Sequence, residues 1–342
     1  MCVAFSRSRR CIGIILIVNR LLASWQDREG TVCVLVCEGL RKSFDGLVAV
    51  DDVSIRVARG ETYGLLGPNG AGKTTTISMI AGLLSSDAGS VTVAGQPVTT
   101  RSVKARAAIG LVPQEVAVYP DLTARENIRF FGRLYGLSSS HLASRTDEVL
   151  EIIGLSERAD DRVEEYSGGM KRRLNIGIGL LHEPQLLILD EPTVGVDPQS
   201  RNAILENVEL LGREGMAVIY TTHYIEEAER LCDRVGIIDA GKLVAEGTRH
   251  ELVGLVGSND RIRLRASGDL DAAIGRVRRI ETVREVGRVD DGIDIIVEDA
   301  GEVITEVLSV VTGSGVTVAT VEIDEPNLED VFLHLTGKAL RD

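Results

Sequence analysis

The sequence is poor in the features that mark several large classes of protein. It is short of positive charge: 38 Lys and Arg stand against 51 Asp and Glu, a net charge of −13 at pH 7. Nucleic-acid binders draw affinity from neutralising phosphates, so this balance argues against that class. Aromatic residues make up only 4% of the 342, too few to suggest base-stacking platforms. The cysteines are Cys2, Cys11, Cys33, Cys37 and Cys232. That odd set matches neither a zinc spacing nor a disulfide framework, and it points to a reducing cytosol. The apolar run at residues 11–18 stops at Asn19-Arg20, far short of the ~20 residues of a spanning helix. What remains is an ordinary globular composition, 44% hydrophobic and 26% charged. The length suits one large domain and a smaller one.

The first thirty residues differ in character from the rest. Arg7, Arg9, Arg10, Arg20 and Arg28 outweigh Asp27 and Glu29 there, which leaves the remainder still more acidic. A signal-peptide or anchor reading has some support in the basic cluster and the apolar run that follows it. The preferred expectation is a dispensable extension or an upstream-assigned start. Arg28-Glu29-Gly30 can be encoded by a purine-rich, ribosome-site-like stretch just before Val32.

Residues 67–76 read Gly-Pro-Asn-Gly-Ala-Gly-Lys-Thr-Thr-Thr, between an apolar strand-like run and the start of a helix. Gly67, Gly70 and Gly72 leave backbone N–H groups free to wrap a polyphosphate. The following helix adds the positive end of its dipole. Lys73 would reach the β- and γ-phosphates and Thr74 would offer its hydroxyl to Mg²⁺. A bare glycine turn is the bland alternative, but the pattern arises by chance in only about one such chain in a hundred.

Strands are expected at residues 32–36 and 54–57, with Asp45-Gly46 as a turn between them. Phe44, just before that turn, either stacks on an adenine or is a half-buried strand aromatic. A short strand at residues 109–112 runs into Pro113-Gln114. From about residue 115 to 170 helical spacing takes over, broken at Gly136 and Gly154, which reads as a helical insertion. Ser167 is placed to cap the helix at residues 171–181, and Gly168 and Gly169 expose N–H groups for a second phosphate contact. Leu186-Leu187-Ile188-Leu189 reads as a buried strand with Asp190 and Glu191 at its C-terminal edge, where α/β sheets place ligands. There Asp190 would hold Mg²⁺ through water and Glu191 would polarise the attacking water. His223 ends a further strand at residues 217–222, level with Asp190, as a candidate contact to the γ-phosphate. Residues 235–239 and 242–246 form a hairpin around Ala240-Gly241.

Together these residues resemble the ATP-binding-cassette ATPases, in the family's order and over residues 34–252. The phosphate loop is residues 67–74, the glutamine loop centres on Gln114, and the signature is Ser167-Gly168-Gly169. The acidic strand end is Asp190-Glu191, the D-loop spans residues 194–197, and the switch histidine is His223. The resemblance implies a P-loop α/β cassette with an antiparallel β subdomain and a helical subdomain, over residues 32–255. It makes Phe44, Gly67, Asn69, Gly70, Ala71, Gly72, Lys73, Thr74, Thr75, Gln114, Ser167, Gly168, Gly169 and Asp197 the ATP-binding set. It adds Gln114 to Thr74 and Asp190 around Mg²⁺, with Glu191 and His223 catalytic. It also implies that two cassettes pair head to tail, each ATP lying between one phosphate loop and the partner's signature. Tyr166 and Met170 replace the commoner Leu and Gln beside the signature, and Val194 and Val196 depart from the usual D-loop, without touching those polar groups.

Those variants look like the drug- and antibiotic-exporting branch, similar to daunorubicin-resistance ATP-binding proteins. The tail supports this. Its strands and helices run βαββαβ, a ferredoxin-like order, in an accessory domain over residues 260–342. The segment Glu325-Pro326-Asn327-Leu328-Glu329-Asp330-Val331-Phe332-Leu333 resembles the C-terminal extension of that group. It carries no chemical constellation, so docking or regulation is expected of it. The reading is thus an exporter ATPase, peripheral on the cytoplasmic face of the membrane, needing a separate integral-membrane permease. The rival class, a soluble cassette ATPase on ribosomes or DNA, typically carries two cassettes or a coiled-coil insertion. A regulator that never turns over would not need both Glu191 and His223.

Overall fold

The computed structural model describes residues 33–255, 260–324 and 327–337. The reading of residues 1–31 as a dispensable extension therefore lies outside the described residues. Among the described residues the chain divides into two compact units, which meet between Thr248 and Arg249 in sequence.

In the first unit β1 (Cys33–Phe44) and β2 (Leu47–Ala58) form a hairpin closed by Asp45-Gly46. Both turn residues have positive φ, 48° and 84°, the conformation a two-residue hairpin loop demands. The strands run longer than the sequence suggested, because irregular steps in their register absorb residues that break the alternation. β3 (Thr62–Leu66) leaves for a second sheet, and α1 (Lys73–Ile80) follows it. That helix is short: Gly82 turns the chain at φ 68° and the N–H groups of Leu83 and Leu84 fold back onto Ser78 O. β4 (Ala88–Val93) and β5 (Gln96–Pro97) return to the first sheet, an antiparallel one ordered β2-β1-β4-β5.

After α2 (Val103–Arg106) and β6 (Ile109–Val112) come α3 (Ala124–Leu134), α4 (Ser139–Ile152) and α5 (Gly168–Leu180). Each of these three helices starts at a residue whose side chain accepts a backbone N–H: Thr123, Ser138 and Ser167. Thr123 and Glu126 complete a capping box. β7 (Leu186–Asp190), α6 (Pro198–Arg213), β8 (Ala217–Thr222), α7 (Ile225–Leu231), β9 (Arg234–Asp239) and β10 (Lys242–Gly247) finish the unit.

The second sheet is six-stranded, ordered β10-β9-β3-β8-β7-β6, and parallel except for the edge strand β10. Every residue of β3, β7 and β8 is buried, as a sheet covered on both faces requires. β3, β6, β7 and β8 thus all point their C-terminal ends the same way. This is a mixed α/β P-loop cassette, as expected.

In the second unit β11 (Asp260–Ser267), α9 (Leu270–Val277), β12 (Val283–Val289), β13 (Gly292–Val297), α10 (Ala300–Thr312) and β14 (Thr317–Asp324) keep the expected order. Their antiparallel sheet runs β12-β13-β11-β14, the ferredoxin-like arrangement. One boundary moves. The helix α8 (Arg249–Leu255), placed by the sequence reading in the first domain, belongs to the second unit. It packs on α11 (Leu328–Thr336), where Leu252, Val331 and Phe332 are buried.

Arg145 of α4, a buried cation, closes the helical region. Its Nη2 donates to Leu180 O at 2.6 Å and its Nε to Leu181 O at 3.2 Å, capping the C-terminus of α5. Replacing it orphans those carbonyls. Arg145→Leu should cost about 1–3 kcal/mol of stability, measured as a lowered urea midpoint with unchanged slope.

Candidate nucleotide site

The loop between β3 and α1 is stitched to its neighbours by backbone bonds. Gly67 N donates to Thr222 O at 3.4 Å, Ala71 N to Pro68 O at 3.2 Å, and Gly241 N to Ala71 O at 2.9 Å. Two glycines are sterically required. A Cβ on Gly67 would stand 2.3 Å from Ile238 O, and one on Gly72, at φ 105°, would stand 2.7 Å from Ala49 O. The close approach at Ala49 also brings the β1–β2 hairpin to the loop. Phe44, at the tip of that hairpin, is 45% exposed rather than half-buried, with Lys42 Nζ 5.6 Å from its ring centre. Asn69 and Gly70 are exposed on the loop, Ala71 is buried beneath it, and Thr75 is half-buried in α1.

Helix α1 begins at Gly72 with no side-chain cap. Its first N–H groups are therefore left for an outside acceptor, the arrangement that suits a phosphate. Lys73 is only 4% exposed and cannot stay uncompensated there. Its Nζ donates to Gly67 O at 2.7 Å and Pro68 O at 3.1 Å, and stands 3.0 Å from Glu191 Oε1.

β7 delivers the two acids. Thr74 Oγ1 donates to Asp190 Oδ2 at 3.1 Å. Burial pushes the Asp190 carboxyl above its ordinary pKa, opposed by hydrogen bonds from Thr221 and Thr74. Glu191 holds a left-handed backbone, φ 44°, unusual for a residue with a side chain. Its N–H donates to Thr221 Oγ1 at 3.0 Å, and that hydroxyl donates in turn to Asp190 Oδ1 at 2.7 Å. Thr221 so binds both acids, and sequence reading missed it. The signal lay in strand pairing, since Thr221 stands opposite Asp190 in the β7–β8 register.

The other loops close on Glu191. Gln114 Nε2 donates to Glu191 Oε2 at 3.4 Å. His223 Nδ1 lies 3.3 Å from the same oxygen but without the angle of a hydrogen bond. Lys73, Thr74, Gln114, Asp190, Glu191 and His223 thus meet at one end of the sheet.

The signature stands apart. Among the described residues no hydrogen bond or ion pair joins Ser167, Gly168 or Gly169 to residues 67–75, 190 or 191. Ser167 Oγ accepts from Met170 N at 3.2 Å, the expected cap. Gly169 lacks a side chain because Ser200 fills the space, 2.1 Å from where a Cβ would be, whereas Gly168 faces open space. Asp197 caps α6 by accepting from Ser200 N at 3.0 Å, a bond that lowers its pKa.

An uncapped helix start, a buried lysine and two hydroxyl-supported acids define a P-loop nucleotide-binding protein. The donors around Asp190 are hard oxygens, which suit Mg²⁺ shared with phosphate. The ABC transporter family profile matches residues 50–194. The profile described as ATP-binding protein DrrA1-3-like, C-terminal domain, matches residues 247–336. Over 311 residues the chain is 48% identical to the linearmycin resistance ATP-binding protein LnrL of Bacillus subtilis, covering 90% of this chain and 100% of that one. It is 38% identical over 309 residues to the daunorubicin resistance ATP-binding protein DrrA3 of Streptomyces coeruleorubidus, with 89% and 96% covered. Among solved structures, an ATP-binding subunit of an ABC transporter superposes with a TM-score of 0.59 at 32% identity, over 66% of this chain and 93% of that one. The chain belongs to the ABC transporter family and is an ATP-binding, ATP-hydrolysing subunit.

Thr221 is the cheapest handle on the acidic pair. Thr221→Val removes a hydrogen bond to a carboxylate and keeps the side-chain shape. It should weaken binding of Mg²⁺-nucleotide about tenfold or more and, because it also orphans the buried Glu191 N–H, lower the melting midpoint of the nucleotide-free protein. Isothermal titration with a non-hydrolysable ATP analogue measures this.

Proposed function

We propose that the chain is the ATP-hydrolysing subunit of an exporter of drugs or antibiotics. It works as a head-to-tail pair of cassettes on a separate integral-membrane permease, at the cytoplasmic face of the membrane. The observation that carries the catalytic part is the convergence of Lys73, Thr74, Gln114, Asp190, Glu191 and His223 at the ends of parallel strands. The export part is supported by the linearmycin and daunorubicin resistance relatives and by a 39% identical Nod factor export ATP-binding protein I of Cupriavidus metallidurans.

On this reading residues 67–75 cradle the phosphates and Phe44 stacks on the adenine. Thr74 and Asp190 would hold Mg²⁺, with Gln114 close by. When bound, that ion neutralises charge on the phosphates. Lys73 exchanges its ion pair with Glu191 for the β- and γ-phosphates. Glu191, released from the lysine, accepts the proton of the attacking water, and His223 steadies the γ-phosphate. The separation of Ser167-Gly168-Gly169 from the chain's own phosphate loop supports its use on a partner's ATP, with Asp197 at the same interface.

No described helix is long and apolar enough to cross a membrane, so a permease has to supply the path. The surface that would meet it is at residues 120–135. Tyr119, Phe130 and Phe131 pack edge to face or tilted within 6.0 Å of one another. Beside them Leu134 and Tyr135 are exposed. An apolar cluster left on the surface marks a docking site. The second unit is assigned docking or regulation.

Two experiments test this. Glu191→Gln should lower turnover by about 10²–10⁴ while ATP binding persists, and turnover at the parent rate would sink the assignment. Ser167→Arg and Lys73→Ala should each abolish hydrolysis as homodimers, yet recover part of it when mixed. In the mixed dimer one composite site has both an intact phosphate loop and an intact signature. ATP-dependent dimerisation of a mixture also carrying Glu191→Gln is measured alongside. No recovery by either readout means that Ser167 serves its own chain.

A further inference from the structure

Behind the loops that carry Glu191 and His223 lies a third carboxylate. Glu227 of α7 is 1% exposed and accepts four hydrogen bonds. Thr193 Oγ1 donates at 2.6 Å, Arg201 Nε at 2.7 Å, Thr222 Oγ1 at 2.8 Å and the Tyr220 hydroxyl at 2.9 Å. The donors come from separate parts of the site's frame. Thr193 is two residues beyond Glu191, and Thr222 directly precedes His223. Arg201 lies in the first turn of α6, behind Asp197, and Tyr220 is on β8.

The linkage extends to the histidine ring. Tyr224 N donates to Thr222 Oγ1 at 2.9 Å, so the hydroxyl that serves Glu227 also sets the backbone just past His223. The Arg201 guanidinium lies 4.5 Å from the centre of the Tyr224 ring, and that ring lies 4.2 Å from the His223 ring. Thr222 O in turn accepts from Gly67 N at the head of the phosphate loop.

A buried carboxylate is costly unless every lone pair is used, and apolar residues of like volume often serve stability as well. Here the charge is surrounded by donors, three of them hydroxyls whose positions it dictates. We propose that Glu227 is a positioning residue for hydrolysis. It locks the loop bearing Glu191 to the loop bearing His223, and transmits the orientation of the helix behind Asp197 to both. This rests on the proposed roles of Glu191 and His223. It assigns Thr193 and Arg201 to the same device.

The test uses the full chain, with turnover measured well below each variant's melting midpoint. Glu227→Gln keeps the shape but loses the charge and one acceptor. Thr193→Val keeps the shape but loses a donor, and Thr193→Ser restores the hydroxyl. Glu227→Gln and Thr193→Val should each lower kcat about ten- to a hundredfold while KM for ATP stays within about twofold, because the phosphates are held elsewhere. Thr193→Ser should return kcat to near the parent value. If Glu227→Gln does not fold, the Thr193 pair decides. Parent-like kcat in folded Thr193→Val, or equal loss in Thr193→Val and Thr193→Ser, overturns the proposal. So does a rise in KM without a fall in kcat. Glu191→Gln and His223→Ala are run beside them. Parent turnover in those two overturns the catalytic reading and this proposal together. Their inactivation beside a parent-like Thr193→Val overturns the positioning role alone.

Discussion

A buried ammonium group must have an anion beside it, and the ion pair between Lys73 and Glu191 supplies one. Their charged atoms stand 3.0 Å apart, and both side chains are almost wholly withdrawn from water. Neither could be held there alone. The loop that turns Lys73 inward closes over it with the carbonyls of Gly67 and Pro68. The strand end that lifts Glu191 does so through a left-handed backbone, held by the Thr221 hydroxyl. Gln114 and His223 are then gathered at the free oxygen of the same carboxylate. The site is arranged so that a polyphosphate entering at the uncapped start of α1 competes for the lysine's countercharge. On the proposed function this couples occupancy to the release of the acid that handles water.

The hydroxyls around these acids explain how so much charge persists inside a parallel sheet. Asp190 takes bonds from Thr74 and Thr221, and Glu227 from Thr193, Thr222 and Tyr220. Threonine is well suited to strand ends: its β-branch favours the extended backbone and its hydroxyl can both donate and accept. Tyr220 illustrates the cost of the arrangement. Burial, and the Glu227 carboxylate beside it, raise its phenol well above its ordinary pKa, so it keeps the proton that it donates to Glu227.

The helical region is held to the sheet by polar ties as well as by apolar packing. Arg172 Nη1 donates to Pro113 O at 3.0 Å, and Asn175 Oδ1 accepts from Ala117 N at 3.4 Å. Both residues lie on α5, the helix that Ser167 caps, and their partners flank Gln114. The helix that presents Gly168 to open space therefore also grips the loop that reaches Glu191.

Much of this was legible in the sequence, because the relevant determinants are local. Glycines and a lysine within a few residues set the phosphate loop. A run of four apolar residues ending in Asp190-Glu191 set a buried strand, and Ser167 set a helix start. The βαββαβ order of the tail was also legible. Such signals depend on backbone conformation and capping within one or two turns of chain. What the tertiary structure decided is which distant side chains meet. Thr74 and Asp190 are 116 residues apart, and Glu191 and Thr221 are 30 apart. Their contacts depend on the β3-β8-β7-β6 order, which no local pattern encodes. The same holds for the donors around Glu227, which reads in sequence as one more acid on an amphipathic helix. It holds for Gly169, whose missing side chain makes room for Ser200, and for the helix Arg249–Leu255, assigned to its unit by packing on residues far along the chain. Local chemistry determined the parts and their kind. The order of strands, settled only when the whole core is buried, determined their partners.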